Sequence, residues 1–236
     1  MTASAPSLST PLGPFGFSAA VGHRRLPDVP DECRKLPGGG LVLRWNDRAA
    51  EVELLLTRFE PDPDLVDVLP VDVCQGALWR VTAHRSLPRF GLTTAFAELP
   101  AGAEGFPSTS QAVAAIEIHA PGLAMTLAAP DEEDLCLRAF PPRRGVPAAW
   151  AGLIDDVYAR RHRWGVEYLP GGLGLDWVLP ELPKGESFLL ETNLCWRATS
   201  PEEDRDDMST WWAAITRPEH LLAAAGGNPF GAARAV

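Results

Sequence analysis

Along the middle of the chain, apolar and polar positions alternate with the period-two rhythm of half-buried strands. Leu41-Val42-Leu43-Arg44-Trp45 is apolar and β-leaning, and Asn46-Asp47 is a turn signal. Ala50, Val52, Leu54 and Leu56 then alternate with Glu51 and Glu53, which predicts a hairpin. Pro61-Asp62-Pro63-Asp64 stops it, residues 65–69 suit a helical turn, and residues 76–85 and 91–99 resume strand composition. Residues 112–119 and 123–129 flank Pro121-Gly122, a pair favoured in type II turns. An acidic loop at 131–134 and a strand over 134–140 follow. Residues 175–182 and 186–198 read as strands paired around Pro183-Lys184-Gly185, with Pro180 assigning the first of them to a sheet edge.

Helical spacing enters after Pro147, which fits a first helical position. Trp150, Leu153, Ile154, Val157, Tyr158 and Arg161 fall on one helix face, and Arg160, Arg161, His162 and Arg163 end it, where cations complement the helix dipole. Ser200-Pro201-Glu202-Glu203 has the form of a capping box and predicts a helix to Ile215 that buries Met208, Trp211, Trp212 and Ile215. Adjacent residues lie about 100° apart on a helix, so Trp211 and Trp212 cannot both face inward. A second cap at 216–219 opens a last helix, closed by Gly226-Gly227. Pro6, Pro11, Pro14, Pro27, Pro30 and Pro37, with Gly38-Gly39-Gly40, make 1–39 an extended arm, of which Pro14 to Pro37 is expected to wrap the body as irregular coil. The expected fold class is α+β: a single domain over 40–236 whose largely antiparallel sheet, barrel- or sandwich-like, carries one central helix and two C-terminal helices.

Composition narrows the function classes. The chain has 236 residues, is 46% hydrophobic and carries a net charge of −10, values of a folded soluble protein. No apolar run approaches the ~18 residues of a membrane span. The charge is spread evenly, with no basic lobe for a phosphate backbone, so neither nucleic acid nor membrane is an expected partner. Lysine occurs only at 35 and 184, against 19 arginines, which leaves few Schiff-base candidates and suggests a GC-rich bacterial origin. Cys33, Cys74, Cys136 and Cys195 have no metal-ligand spacing, and the N-terminal stretch lacks a secretory h-region, so four reduced thiols in the cytoplasm are expected. The glycine runs lack the signature of a phosphate loop and the acidic runs lack calcium-loop spacing, so no cofactor or metal is expected.

Two constellations carry candidate chemistry. Glu117 and His119 share one face of a strand and can form a general acid/base pair, or simply face solvent. On the last strand Glu191, Asn193, Cys195 and Arg197 project to one side: a carboxylate, an amide, a thiol and a guanidinium in one row. Facing a cleft, the row can bind and polarise a carbonyl compound; facing solvent, it is only an outer surface. Eight tryptophans supply large apolar area, Trp79 and Trp177 being the candidates to line a ligand pocket.

The expected function is therefore a cofactor-independent enzyme of the proton-transfer or cyclisation type (an isomerase, cyclase or lyase), or a binding protein for a small, largely apolar organic molecule in an aromatic-lined pocket. Glu191 or Glu117 serves as base, and Arg197 or His119 polarises a carbonyl, with Asn193, Cys195, Trp79 and Trp177 contacting the ligand. The alternative is a non-catalytic acidic interaction module, resting on the net charge and the acidic stretch 202–207. An exposed tryptophan of the 211–212 pair would give a homodimer or protein partner its surface.

Overall fold

The period-two runs become the strands of two antiparallel sheets in a computed structural model that describes residues 5–61, 70–110, 113–140, 145–200 and 208–231. The first sheet runs in the order β1 (Ser7–Thr10), β2 (Gly13–Val21), β8 (Phe90–Phe96), β13 (Gly174–Leu179), β12 (Gly165–Tyr168), with β3 (Arg24–Arg25) attached to β2. The second runs β4 (Glu32–Lys35), β5 (Leu41–Asn46), β6 (Ala50–Arg58), β7 (Val73–Ala83), β14 (Ser187–Ala198), β11 (Leu123–Pro130), β10 (Val113–Ala120), β9 (Glu104–Ser110). Neither sheet closes on itself, so the arrangement is sandwich-like and not a barrel. Five short helices complete the described residues: α1 (Glu132–Ala139), α2 (Ala148–Ile154), α3 (Asp156–His162), α4 (Ser209–Ala214) and α5 (Pro218–Ala224). None is long and apolar enough to cross a membrane.

The main apolar cluster draws from both sheets, joining Phe15, Phe17, Leu92 and Trp177 of the first with Leu54, Trp79, Ile116 and Leu194 of the second. The opposite face of the eight-stranded sheet is also buried: Leu55, Cys74, Leu78, Ala128 and Cys195 meet Trp211, Ala214, Leu221 and Phe230 of the C-terminal segment. A strand covered on both sides needs apolar residues on both, which is why Leu54-Leu55-Leu56 breaks the alternation begun at Ala50.

Several expectations are corrected. The segment from Pro14 to Pro37 does not run as irregular coil: Pro14 sits at the start of β2, opposite Ser9, and Pro27, Pro30 and Pro37 lie in loops, so β2, β3 and β4 join the two sheets. The expected central helix is two helices. Asp155, extended at φ −76° and ψ 103°, accepts hydrogen bonds from Val157 N at 3.0 Å and Tyr158 N at 2.9 Å and restarts the helix as α3. The presumed apolar stripe is thereby split, and Val157 is 78% exposed. The acidic run is not a loop: Asp131 caps α1, accepting from Asp134 N at 2.9 Å, and Glu132, Glu133 and Asp134 occupy the first turn, where the helix dipole favours anions. β13 and β14 do not pair. Pro180 lies just past β13, an internal strand, and the connection crosses between sheets along the bridge Leu87–Leu182. The helical turn expected at 65–69 and the capping box at 200–203 fall largely outside the described residues, as does the acidic stretch 202–207.

Candidate functional site

Strand alternation places Glu191, Asn193, Cys195 and Arg197 on the face of β14 that points away from the inter-sheet core. They meet neither solvent nor a barrel interior, being exposed by 5%, 1%, 0% and 6%, and helical segments reach the first three of them. Asn193 Nδ2 donates to Ala214 O at 2.9 Å and to Thr216 O at 2.6 Å, which fastens the α4–α5 junction over the row. The buried hydroxyls of Thr126 and Thr210 meet at 2.9 Å and hold α4 to β11.

Glu191 lies at one wall of a cleft of about 170 Å³. Val113, Ala128 and Ile215 give the lining its aliphatic groups, and Asp134, Asn193 and the exposed Arg217 supply polar ones. Arg138 of α1 donates from Nη1 to Glu191 Oε1 at 2.7 Å and reaches Asp134 Oδ2 at 2.9 Å. Glu191 Oε2 is buried and has no hydrogen-bond partner among the described residues. Burial pushes the Glu191 carboxyl up to about 7, the charge and hydrogen bond of Arg138 and the residue's own backbone N–H pulling the other way. The result is a carboxyl near half-ionisation at neutral pH, one oxygen held by Arg138 and the other without a side-chain partner among the described residues, which suits general acid/base work.

The other expected site residues are not gathered around it. Arg197 is six residues farther along β14, about 20 Å at ~3.3 Å per residue, so it and Glu191 do not converge on one small molecule. Between them Cys195 faces Cys74 across the ladder, its thiol raised well above the usual range by burial and by its neighbour. Glu117 and His119 keep to β10, two strands or about 10 Å from the row, half-exposed with His119 Nε2 at 4.0 Å from Glu117 Oε2. Trp79 and Trp177 are in the inter-sheet core, on the other side of the sheet from Glu191, with Trp79 at 6.0 Å from the Trp45 ring. No tryptophan lines the cleft. Of the tryptophan pair, Trp211 is buried and Trp212 is 47% exposed.

Sequence reasoning missed Arg138 and Asp134 because their segment was read as loop and strand. Their four-residue spacing is the available signal, since it puts the pair on one helix face.

A second charged cluster on the same sheet face is closed on itself. Glu53, fully buried, accepts from Arg44 Nη2 at 2.9 Å and also pairs with Arg80. Arg80 in turn donates to Phe230 O at 3.2 Å and lies 4.7 Å over the Phe230 ring, while Arg34 bonds Pro229 O. These arginines fasten the C-terminal segment to the sheet.

The cover over the Glu191 row is seated on Gly76, where a Cβ would come within 2.2 Å of Leu221 Cδ2 and 2.9 Å of Asn193 Oδ1. Gly76→Ala is expected to lift α5, disturb Asn193 and cost about 1–3 kcal/mol, the usual range for overpacking. Urea unfolding checks the cost, and amide exchange over 214–225 checks its location.

No family model and no curated protein matches the chain. Among solved structures 18 chains match. One, described as "Putative kojibiose phosphorylase from human microbiome", superposes with a TM-score of 0.49 at 5% identity over 95% of this chain and 30% of its own. A polysaccharide lyase superposes with a TM-score of 0.37 at 12% identity over 78% of this chain and 25% of its own. The chain thus spans less than a third of the length of either structure.

Proposed function

We propose that the Glu191 cleft binds a small organic molecule and that Glu191 exchanges a proton with it, as a cofactor-independent acid/base catalyst or as the ionisable contact of a binding protein. The observation that carries this reading is a buried carboxyl, ionising at about 7, at the wall of a cleft, with one oxygen that no side chain among the described residues pairs. An unpaired buried carboxyl oxygen costs stability unless something satisfies it, and a ligand hydroxyl, amide or carbonyl does so: protonated Glu191 donates, ionised Glu191 accepts. Arg138 holds the other oxygen and so fixes the carboxyl's orientation. The mixed wall favours a compact ligand with an apolar edge and one or two polar groups, instead of the largely apolar ligand that tryptophan walls would suit.

A ligand-observed NMR screen with small hydroxy acids, keto acids and amides tests it, using the wild type and Glu191→Gln. At least one probe is expected to bind the wild type, with affinity changing across about pH 7 and falling at least about tenfold in the variant, since a hydrogen bond to a charged group contributes about 1.5–3 kcal/mol. Hits that bind both proteins equally, or no hits, sink the reading.

A further inference from the structure

Cys74 and Cys195 sit directly opposite each other on the antiparallel ladder of β7 and β14. Both are free and buried, within one apolar cluster with Trp211, Ala214 and Leu221. Directly opposed residues of an antiparallel pair have Cα atoms about 4.5 or 5.5 Å apart, and both values fall within the ~4.4–6.8 Å that a disulfide spans. The other two cysteines have no such neighbour. Cys33 is exposed on β4, and Cys136 donates its thiol to Trp150 O at 3.2 Å.

We propose that Cys74 and Cys195 are a reversible dithiol modification site, which a low-molecular-weight disulfide such as oxidised glutathione converts into one cross-strand disulfide. One cysteine thiolate attacks a glutathione sulfur, forming a mixed disulfide and releasing the first glutathione thiolate. The second cysteine thiolate attacks the protein sulfur of that mixed disulfide and releases the other glutathione. Two protein thiols are oxidised, one glutathione disulfide is reduced to two thiols, and the two protein protons pass to the released thiolates.

Access comes from the cover. α4 and α5 are six and seven residues long and neither has a side-chain hydrogen bond at its N-cap. Helices this far below about 12 residues have little stability of their own and stay in place only by tertiary contacts, namely packing and the Asn193 and Thr126–Thr210 hydrogen bonds, so the pair becomes reachable through local opening. Burial keeps the Cys195 thiol protonated at neutral pH, so the reaction is slow there and speeds up as the thiolate forms. The bridge lies two residues from both Gly76 and Asn193, the seat and the tether of the cover, so the redox state of the pair bears on how firmly the cover closes.

The test uses the full chain carrying Cys33→Ser, which removes the exposed thiol, incubated with oxidised glutathione under native conditions. Intact mass is expected to fall by two hydrogens, and the non-reducing peptide map to join the peptides of Cys74 and Cys195. Dithiothreitol reverses the change, and the bridging rate rises about tenfold per pH unit from about pH 7 to 9. Adding Cys195→Ser to the same chain abolishes the loss of two hydrogens and leaves Cys74 either free or held as the unresolved glutathione mixed disulfide, which dithiothreitol removes. A protein that stays native by circular dichroism and keeps both thiols free after prolonged oxidation overturns the proposal, as does a bridge that involves Cys136.

Discussion

Glu191→Gln is expected to remove about 3 kcal/mol of pH-dependent stability change between about pH 4.5 and pH 7. The carboxyl ionises at about 7 in the folded chain, raised chiefly by burial, against an ordinary 4.5. Between those values the folded state holds a proton that the unfolded chain has released. The contribution of Glu191 to stability is therefore complete below the unfolded value and is lost as pH rises through the folded one. Urea unfolding of wild type and variant across that window measures it. The wild-type advantage over the variant should shrink by about 3 kcal/mol as pH rises, at about 1.4 kcal/mol per pH unit. A difference that stays flat with pH means that Glu191 titrates as an ordinary carboxylate, and the acid/base reading of the cleft loses its basis.

Glu53→Ala is expected to cost about 3–5 kcal/mol, because it removes the buried carboxylate that pairs with both Arg44 and Arg80 and leaves them only the more exposed Glu51 and, for Arg44, Glu32. Urea unfolding reads the loss. Arg80 also carries Phe230 through a hydrogen bond and a cation–ring contact, so faster amide exchange in the chain around Phe230 should accompany it. A simultaneous Glu53→Leu and Arg80→Met replacement should cost much less than the single change, since an apolar pair of similar size leaves fewer unpaired charges buried. A loss under about 1 kcal/mol for Glu53→Ala would show that Glu51 or entering water takes over the arginines, as at surface ion pairs.

Local chemistry made most of the strands and the C-terminal helices legible. The hairpin of β5 and β6 follows from Asn46-Asp47 between alternating runs, and that of β10 and β11 from Pro121-Gly122, where Gly122 adopts φ 75°. The polar row on β14 was also readable, because two-residue periodicity assigns its members to one side whatever the rest of the chain does. The N-terminal strands were hidden by prolines, whose effect depends on whether their missing N–H faces a neighbouring strand. α1 was hidden because acidic residues suit a solvated loop and a helix first turn equally well.

What covers each face of the row, and which partners arrive there, is a matter of long-range packing that no local pattern encodes. Arg138 comes to Glu191 from 53 residues away, and the α4–α5 junction reaches Asn193 from 21 and 23. Those contacts turn a row of polar side chains into a buried carboxyl with a shifted ionisation. The same packing withdraws Trp79 and Trp177 into the inter-sheet core and leaves Arg197, Glu117 and His119 apart from it. Residue type and strand period set which side of the strand each group takes. Burial, charge partners and access, on which reactivity depends, arise only when distant segments meet on that side.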